Sequence, residues 1–206
     1  MIGIIDYGVG NLFSLKSSFE AIGVDTFVSG NANELEKADK LVLPGVGAFG
    51  DAAEKLRSSG LDSFVRRQAA RGVPLLGNCL GMQLLFEKSF EYGEHEGLGL
   101  LKGQVVPMTE RLPAGLKIPH MGWNSLHICK EDSRLFANTK EGDFVYFVHS
   151  FFAENCDESL AAATEYGTSI TAAVEQGNVF GCQFHPEKSG PTGLNILRSF
   201  AQLNGG

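Results

Sequence analysis

No segment of this 206-residue chain gathers Lys and Arg into a block, and acids outnumber bases by 24 to 17, for a net charge of −7. That balance excludes nucleic acid and anionic membrane as partners held through their phosphates. No apolar run nears the ~20 residues that span a bilayer as a helix. Met1–Asp6 has no basic region and meets an acid too early to read as a secretory leader. The four cysteines, Cys79, Cys129, Cys156 and Cys182, lie far apart, with no C-x-x-C and no nearby histidine pair. This argues against a zinc site and a disulfide framework, and no metal or other cofactor is expected. Cys129, Cys156 and Cys182 are expected to be small, buried and reduced, and the compartment to be cytoplasmic. Repeats, low-complexity tracts and linkers are also missing. Residues 1–206 therefore read as one domain, with 43% hydrophobic residues to build its core.

What is present begins as alternating strand and helix. Ile2–Ile5, Val24–Val28, Leu41–Leu43 and Val73–Leu76 are the candidate strands, three of them apolar without alternation. Such runs fit a parallel sheet covered on both faces. Asn11 is placed to cap a helix carrying Leu12, Leu15, Phe19 and Ile22 on one face, and Gly23 to end it. Asp51–Ser59 and Leu61–Arg71 supply further helical material, as does Met82–Lys88. The second half reads as strands: Leu98–Met108, Ser125–Ile128, Phe144–Phe151, Ser169–Glu175 and Val179–His185. A last helix runs from Pro191 to Leu203, closed by Asn204-Gly205. The expectation is an α/β domain with a mixed, largely parallel central sheet and flanking helices.

The most informative segment is Gly77-Asn78-Cys79-Leu80-Gly81, set between a buried strand and a helix. G-x-C-x-G in that setting has the form of a nucleophile elbow, with glycines relieving a sharp turn and the central residue held at a helix N-terminus. Unpaired backbone N–H groups there favour a thiolate. Alone, the pentapeptide also fits an inert cysteine in a tight turn. In Val179–His185, alternation places Phe180, Cys182 and Phe184 on one face and Gln183 with His185 on the other. Pro186 keeps its predecessor extended, so that His185 and Glu187 project to one side. A carboxylate so placed can fix the imidazole tautomer and leave the other ring nitrogen for a thiol. His185-Pro186-Glu187 alone fits a strand-ending turn as well; together with the elbow it describes a thiol triad.

Gly45-Val46-Gly47-Ala48-Phe49-Gly50 matches G-x-G-x-x-G, but Val65–Gly72 offers no acid for a ribose. The Pro44–Gly50 loop better serves to bring backbone N–H groups near a reacting carbonyl. One such donor with the N–H of Leu80 would form an oxyanion hole.

Six segments in order resemble the class I, triad-type glutamine amidotransferases: Asp6–Asn11, Pro44–Gly50, Cys79–Gln83, Pro119–Asn124, Tyr146–Phe151 and His185–Ser189. The cysteine elbow and His-Pro-Glu are shared across that class. Asp6–Asn11 and Pro119–Asn124 are narrower, and resemble the glutaminase subunits of imidazole glycerol phosphate synthases. The resemblance implies a flavodoxin-like domain that hydrolyses glutamine to glutamate and ammonia. It assigns Cys79 as nucleophile, His185 as proton shuttle, Glu187 as its orienting acid, and the Val46 and Leu80 amides as oxyanion hole. It assigns Gly47, Gln83, Glu91, His149, Ser150 and Phe151 to the glutamine, although Gln83 also fits an exposed helix position, Glu91 a solvated loop acid and His149 a structural role. Asn78 departs from the apolar residue expected before the nucleophile. The resemblance further implies a heterodimer with a (β/α)8-barrel cyclase subunit, which takes the ammonia for imidazole glycerol phosphate and histidine synthesis. Asn11, Tyr146 and Lys188 would face that partner, and glutaminase activity would be low until partner and ligand bind. A related amidotransferase subunit serving another synthase, a partnerless γ-glutamyl hydrolase and a non-catalytic subunit stay as alternatives.

Overall fold

The computed structural model describes residues 1–203, so that the expected Asn204-Gly205 stop lies outside the described residues. In chain order the first half holds β1 (Ile2–Ile5), α1 (Leu12–Ala21), β2 (Thr26–Ser29), α2 (Ala32–Leu35), β3 (Lys40–Leu43), α3 (Phe49–Ser58), α4 (Leu61–Ala70), β4 (Leu75–Asn78) and α5 (Leu80–Gln83). The second half holds β5 (Lys88–Ser89), β6 (His95–Glu96), β7 (Gln104–Pro107), β8 (His120–Ser125), β9 (His127–Ile128), β10 (Phe144–His149), β11 (Phe151–Glu154), β12 (Leu160–Glu165), β13 (Ser169–Gln176), β14 (Val179–Cys182) and α6 (Gly190–Gln202).

The central sheet has the order β2-β1-β3-β4-β14-β13-β12-β9. Its first five strands are mutually parallel and the last three antiparallel. Alternate residues of the parallel strands feed two cores. Ile5, Leu41, Leu43 and Leu75 meet Phe49, Leu56 and Phe64 of α3 and α4. Ile2, Ile4, Val42 and Leu76 meet Leu15 and Phe19 of α1 and Ile196, Leu197 and Phe200 of α6. Burial on both faces is why these strands read as continuous apolar runs. Asn11 caps α1, its Oδ1 accepting from Ser14 N–H at 3.3 Å, and Gly23 follows its end at φ +77°.

Several sequence expectations shift. The second strand covers Thr26–Ser29 rather than Val24–Val28, and the fourth Leu75–Asn78 rather than Val73–Leu76, because Pro74 lacks the ladder donor. Met82–Lys88 is not a helix: α5 stops at Gln83 and Lys88 enters a strand. The carbonyls of Leu84, Leu85 and Phe86 accept instead from the N–H groups of Leu98, Leu100, Leu101 and Gly99, which draws this apolar segment into a buried irregular turn. For the same reason Leu98–Met108 contributes only Gln104–Pro107 as strand. Phe144–Phe151 is two strands broken at Ser150, and Val179–His185 ends its strand at Cys182. Cys156 and Cys182 are buried as expected, whereas Cys129 is exposed, lying just past the edge strand β9.

The topology carries the four informative loops to one end. β1, β3, β4 and β14 are adjacent and parallel, so that Asp6–Asn11, Pro44–Gly50, Cys79 and Gln183–Glu187 all leave carboxyl ends of neighbouring strands. Ligands of open α/β sheets bind there. The β10-β8 ribbon and the small β11-β7-β5-β6 sheet stand beside that end.

Candidate active site

Cys79 takes φ +53°, ψ −110°, a backbone state that is costly for a residue with a side chain. Its N–H donates to Cys182 O at 2.7 Å, pinning the bend to β14. A Cβ at Gly81 would run into the Leu43 carbonyl, and one at Gly77 would lie 2.7 Å from the Gly81 and Met82 backbone. The two glycines thus let the chain double back over its own strand, as an elbow requires. The helix beyond it is only four residues long. Its aligned dipole is correspondingly small.

His185 is extended (φ −97°, ψ 99°), and a short 3-10 turn over Pro186–Lys188 brings Glu187 back beneath it. The His185 Nδ1–Glu187 Oε1 distance is 2.8 Å, with both side chains buried. Burial alone would pull the imidazole down; hydrogen bonding to Cys79 and Glu187, with their negative charge, overcomes it and pushes His185 up to about 10. Burial likewise opposes the Glu187 carboxylate, but the His185 and Asn78 hydrogen bonds hold it below the usual range. Asn78 Nδ2 donates to Glu187 Oε2 at 3.0 Å, so the polar residue before Cys79 extends the His185–Glu187 pair by one link. Sequence reasoning missed this role; a polar side chain in an otherwise apolar buried strand was the available signal.

These groups open on a cavity of about 320 Å³, a size suited to a small molecule. Its wall includes Cys79, Leu80, His185, Val46 and Gly47, with Gln83 and Glu91. His149, Ser150 and Phe151 complete the set expected to hold substrate, while Lys188, expected to face a partner, lines the cavity too, and Tyr92 and Val148 line it unforeseen. Gln83 is buried rather than exposed. Glu91 is buried too, which pushes its carboxyl upward against the Phe49 N–H that its Oε2 accepts at 2.8 Å. His149 does structural work as well, its Nδ1–H donating to Phe151 O at 2.8 Å. Its Nε2 accepts from His120 Nδ1 at 3.0 Å. Burial pushes His149 down to about 3 and His120 to about 4, keeping both neutral.

The Pro44–Gly50 loop is anchored from the first motif. The Tyr7 hydroxyl donates to Pro44 O at 2.7 Å, and burial with the nearby Cys79 charge keeps that phenol protonated. Asn11 and Tyr146 stand outside the cavity wall. Asn11 spends its side-chain oxygen on the α1 cap, and Tyr146 accepts at its carbonyl from His185 N–H at 2.9 Å. Among the described residues no cluster of His, Cys, Asp and Glu could hold a metal ion.

A cysteine on a tight bend, an imidazole oriented by a carboxylate and a cavity at strand carboxyl ends are the parts that an acyl-transfer enzyme requires. Residues 3–203 match the family described as Glutamine amidotransferase class-I, and the chain belongs to that family, whose activity is glutamine hydrolysis. Among its relatives is imidazole glycerol phosphate synthase subunit HisH of Bacillus licheniformis, 53% identical over 206 residues, covering 98% of this chain and 96% of the relative. The Aquifex aeolicus subunit of the same name is 51% identical over 199 residues, covering 96% and 94%. Solved structures share the fold at lower identity. A glutamine amidotransferase crystal structure aligns with TM-score 0.75 at 21% identity over 98% of this chain and 99% of that one. The PurLQS structure from Thermotoga maritima aligns with TM-score 0.76 at 22% identity over 97% and 96%. The α/β fold with a mostly parallel sheet is thereby shared with the family.

Proposed function

We propose that this chain is the glutaminase subunit of an imidazole glycerol phosphate synthase, a single domain using Cys79, His185 and Glu187 as its triad. Glutamine lies in the cavity with its side-chain amide over the elbow. The Cys79 thiolate adds to the amide carbon, and the C=O electrons move to oxygen. The Val46 and Leu80 N–H groups donate hydrogen bonds to that oxygen, each such donor being worth ~3–4 kcal/mol of barrier. His185 passes its proton to the departing nitrogen, the C–N bond breaks and ammonia leaves a thioester on Cys79. His185 then takes a proton from water, whose oxygen attacks the thioester; sulfur departs and glutamate is released. Glu187 holds the ring throughout and stabilises its cationic form.

Gly47, Gln83, Glu91 and the His149–Phe151 segment hold the glutamine. Glu91 keeps one carboxylate oxygen for the substrate's ammonium group, since Oε2 is taken by Phe49. The observation that carries the reading is the strained Cys79 and His185 on one cavity wall, with Glu187 and Asn78 hydrogen-bonded in series behind the ring.

The ammonia acceptor is a (β/α)8-barrel cyclase subunit, with which the chain forms a heterodimer in the cytoplasm. The β8–β10 ribbon supports a docking face near the cavity: Met121, Trp123 and Phe144 are 61%, 56% and 56% exposed, and the Trp123 and Tyr146 rings meet edge-on at 6.0 Å. Asn11, Tyr146 and Lys188 belong to that face. Uncoupled hydrolysis would waste glutamine, so turnover is low until the partner and its nucleotide substrate bind. The test is glutamate release with and without the cyclase and its nucleotide. Stimulation by that pair is expected in the wild type and none in Cys79→Ala, which should still bind the partner. Equal turnover by the isolated chain and the mixture would contradict the coupling.

A further inference from the structure

Gln183 is fully buried, carries no charge, and lies outside the cavity wall between two residues that line it. Three contacts fix which end of its amide points where. Phe151 O is a backbone carbonyl and can only accept, so the Gln83 atom 3.1 Å away is its nitrogen. That same Gln83 Nε2 lies 3.0 Å from the Gln183 side chain, which must therefore present its oxygen. The other end of Gln183 is then its nitrogen, and it points at Cys79 Sγ from 3.8 Å, a long contact within reach of a sulfur acceptor. The backbone carbonyl thus orients two amides in series. The last of them ends on the nucleophile with an N–H donor.

We propose that Gln183 is a positioning residue for the nucleophile, holding the Cys79 sulfur as an acceptor and locking Gln83 with only its oxygen free. Both hydrogens of Gln83 Nε2 are spent, on Phe151 O and Gln183 Oε1. Gln83 Oε1 has no protein partner among the described residues, so Gln83 can only accept from a bound substrate. The second lone pair of Phe151 O takes the Nδ1–H of His149, which ties the same node to the β10 strand. An N–H facing sulfur favours its anionic over its protonated form. With the α5 helix only four residues long, this donor supplies what a helix terminus supplies weakly here.

The inference rests on Cys79 being the nucleophile, and its test separates the two ideas. The titratable groups facing the sulfur are His185 and Tyr7, with Glu187 behind the former and Glu91, Tyr92, His149 and Lys188 on the cavity wall. All of these are kept in Gln183→Met and Gln183→Leu. Full-length wild type and both variants are alkylated with iodoacetamide across a pH series, and the Cys79 peptide is followed by mass spectrometry. The exposed Cys129 is the internal reference. The expected result is a Cys79 profile moved up by about one pH unit, with alkylation about tenfold slower at neutral pH and Cys129 unchanged. Variant profiles that overlay the wild type overturn the role of Gln183. A wild-type Cys79 that reacts no faster than Cys129 at neutral pH overturns the nucleophile assignment first. If neither variant folds, the side-chain amide resonance of Gln183 in the wild type decides. It should shift with the same midpoint as Cys79 alkylation, and a resonance that stays flat through that midpoint overturns the proposal.

Discussion

Asn78 and Glu187 are joined by a 3.0 Å hydrogen bond from the Asn78 amide to Glu187 Oε2. The residue before Cys79 therefore steadies the acid that steadies the imidazole. Asn78→Leu should retain the fold, since the apolar side chain suits its buried strand position, and should slow glutamate release about tenfold (~1.4 kcal/mol). Steady-state kinetics with kcat separated from KM check this. An unchanged kcat would remove Asn78 from the catalytic chain.

The buried histidines set limits on stability at both ends of the pH scale. His120 and His149 are held at about 4 and about 3 in the fold, below the value of 6.5 in the unfolded chain. Between those values the unfolded state binds more protons, so stability falls as pH drops below 6.5. His185, held at about 10, acts in the other direction: its contribution is complete below 6.5 and is lost as pH rises toward 10. His120 is stacked between Phe147 and Tyr166, with centroids 4.8 and 4.2 Å away. His120→Phe should keep that stack and flatten the acid side of a plot of Tm against pH.

Gly81 is required by contact rather than by its backbone angles, because a Cβ there meets the Leu43 carbonyl at the end of β3. Gly81→Ala should cost about 3 kcal/mol, the overpacking having only backbone to push against. Denaturant unfolding measures it, and a loss under ~0.5 kcal/mol would contradict the packing argument.

The docking face makes a separate prediction. Trp123→Ala should leave Tm within a few degrees of wild type, since the ring is more than half exposed. It should weaken binding of the cyclase subunit about thirtyfold, as loss of an aromatic anchor worth ~2 kcal/mol does. Titration calorimetry separates the two effects, and unchanged affinity would move the interface elsewhere.

The parallel half of the fold was legible because strands buried on both faces leave uninterrupted apolar runs, as at Ile2–Ile5, and because Asn11 and Gly23 mark the ends of α1. The elbow and His185-Pro186-Glu187 were legible because a short-range bend and an i, i+2 pair are local features. What stayed hidden depended on distant partners. Met82–Lys88 reads as helix until the 98–101 segment claims the Leu84–Phe86 carbonyls. Leu160–Glu165 is a strand next to the sheet edge whose alanines carry little strand preference of their own. Gln183 and Asn78 gain their roles only from residues roughly a hundred positions away.

In the proposed mechanism, carbon–nitrogen cleavage proceeds through a bond to the Cys79 sulfur. Acid quenching during glutamine turnover, followed by digestion and mass spectrometry, reads that bond directly. The peptide containing Cys79 should gain one γ-glutamyl group, which hydroxylamine removes and which Cys79→Ala never forms. An unmodified Cys79 during sustained turnover, or turnover near the wild-type rate in Cys79→Ala, would contradict it.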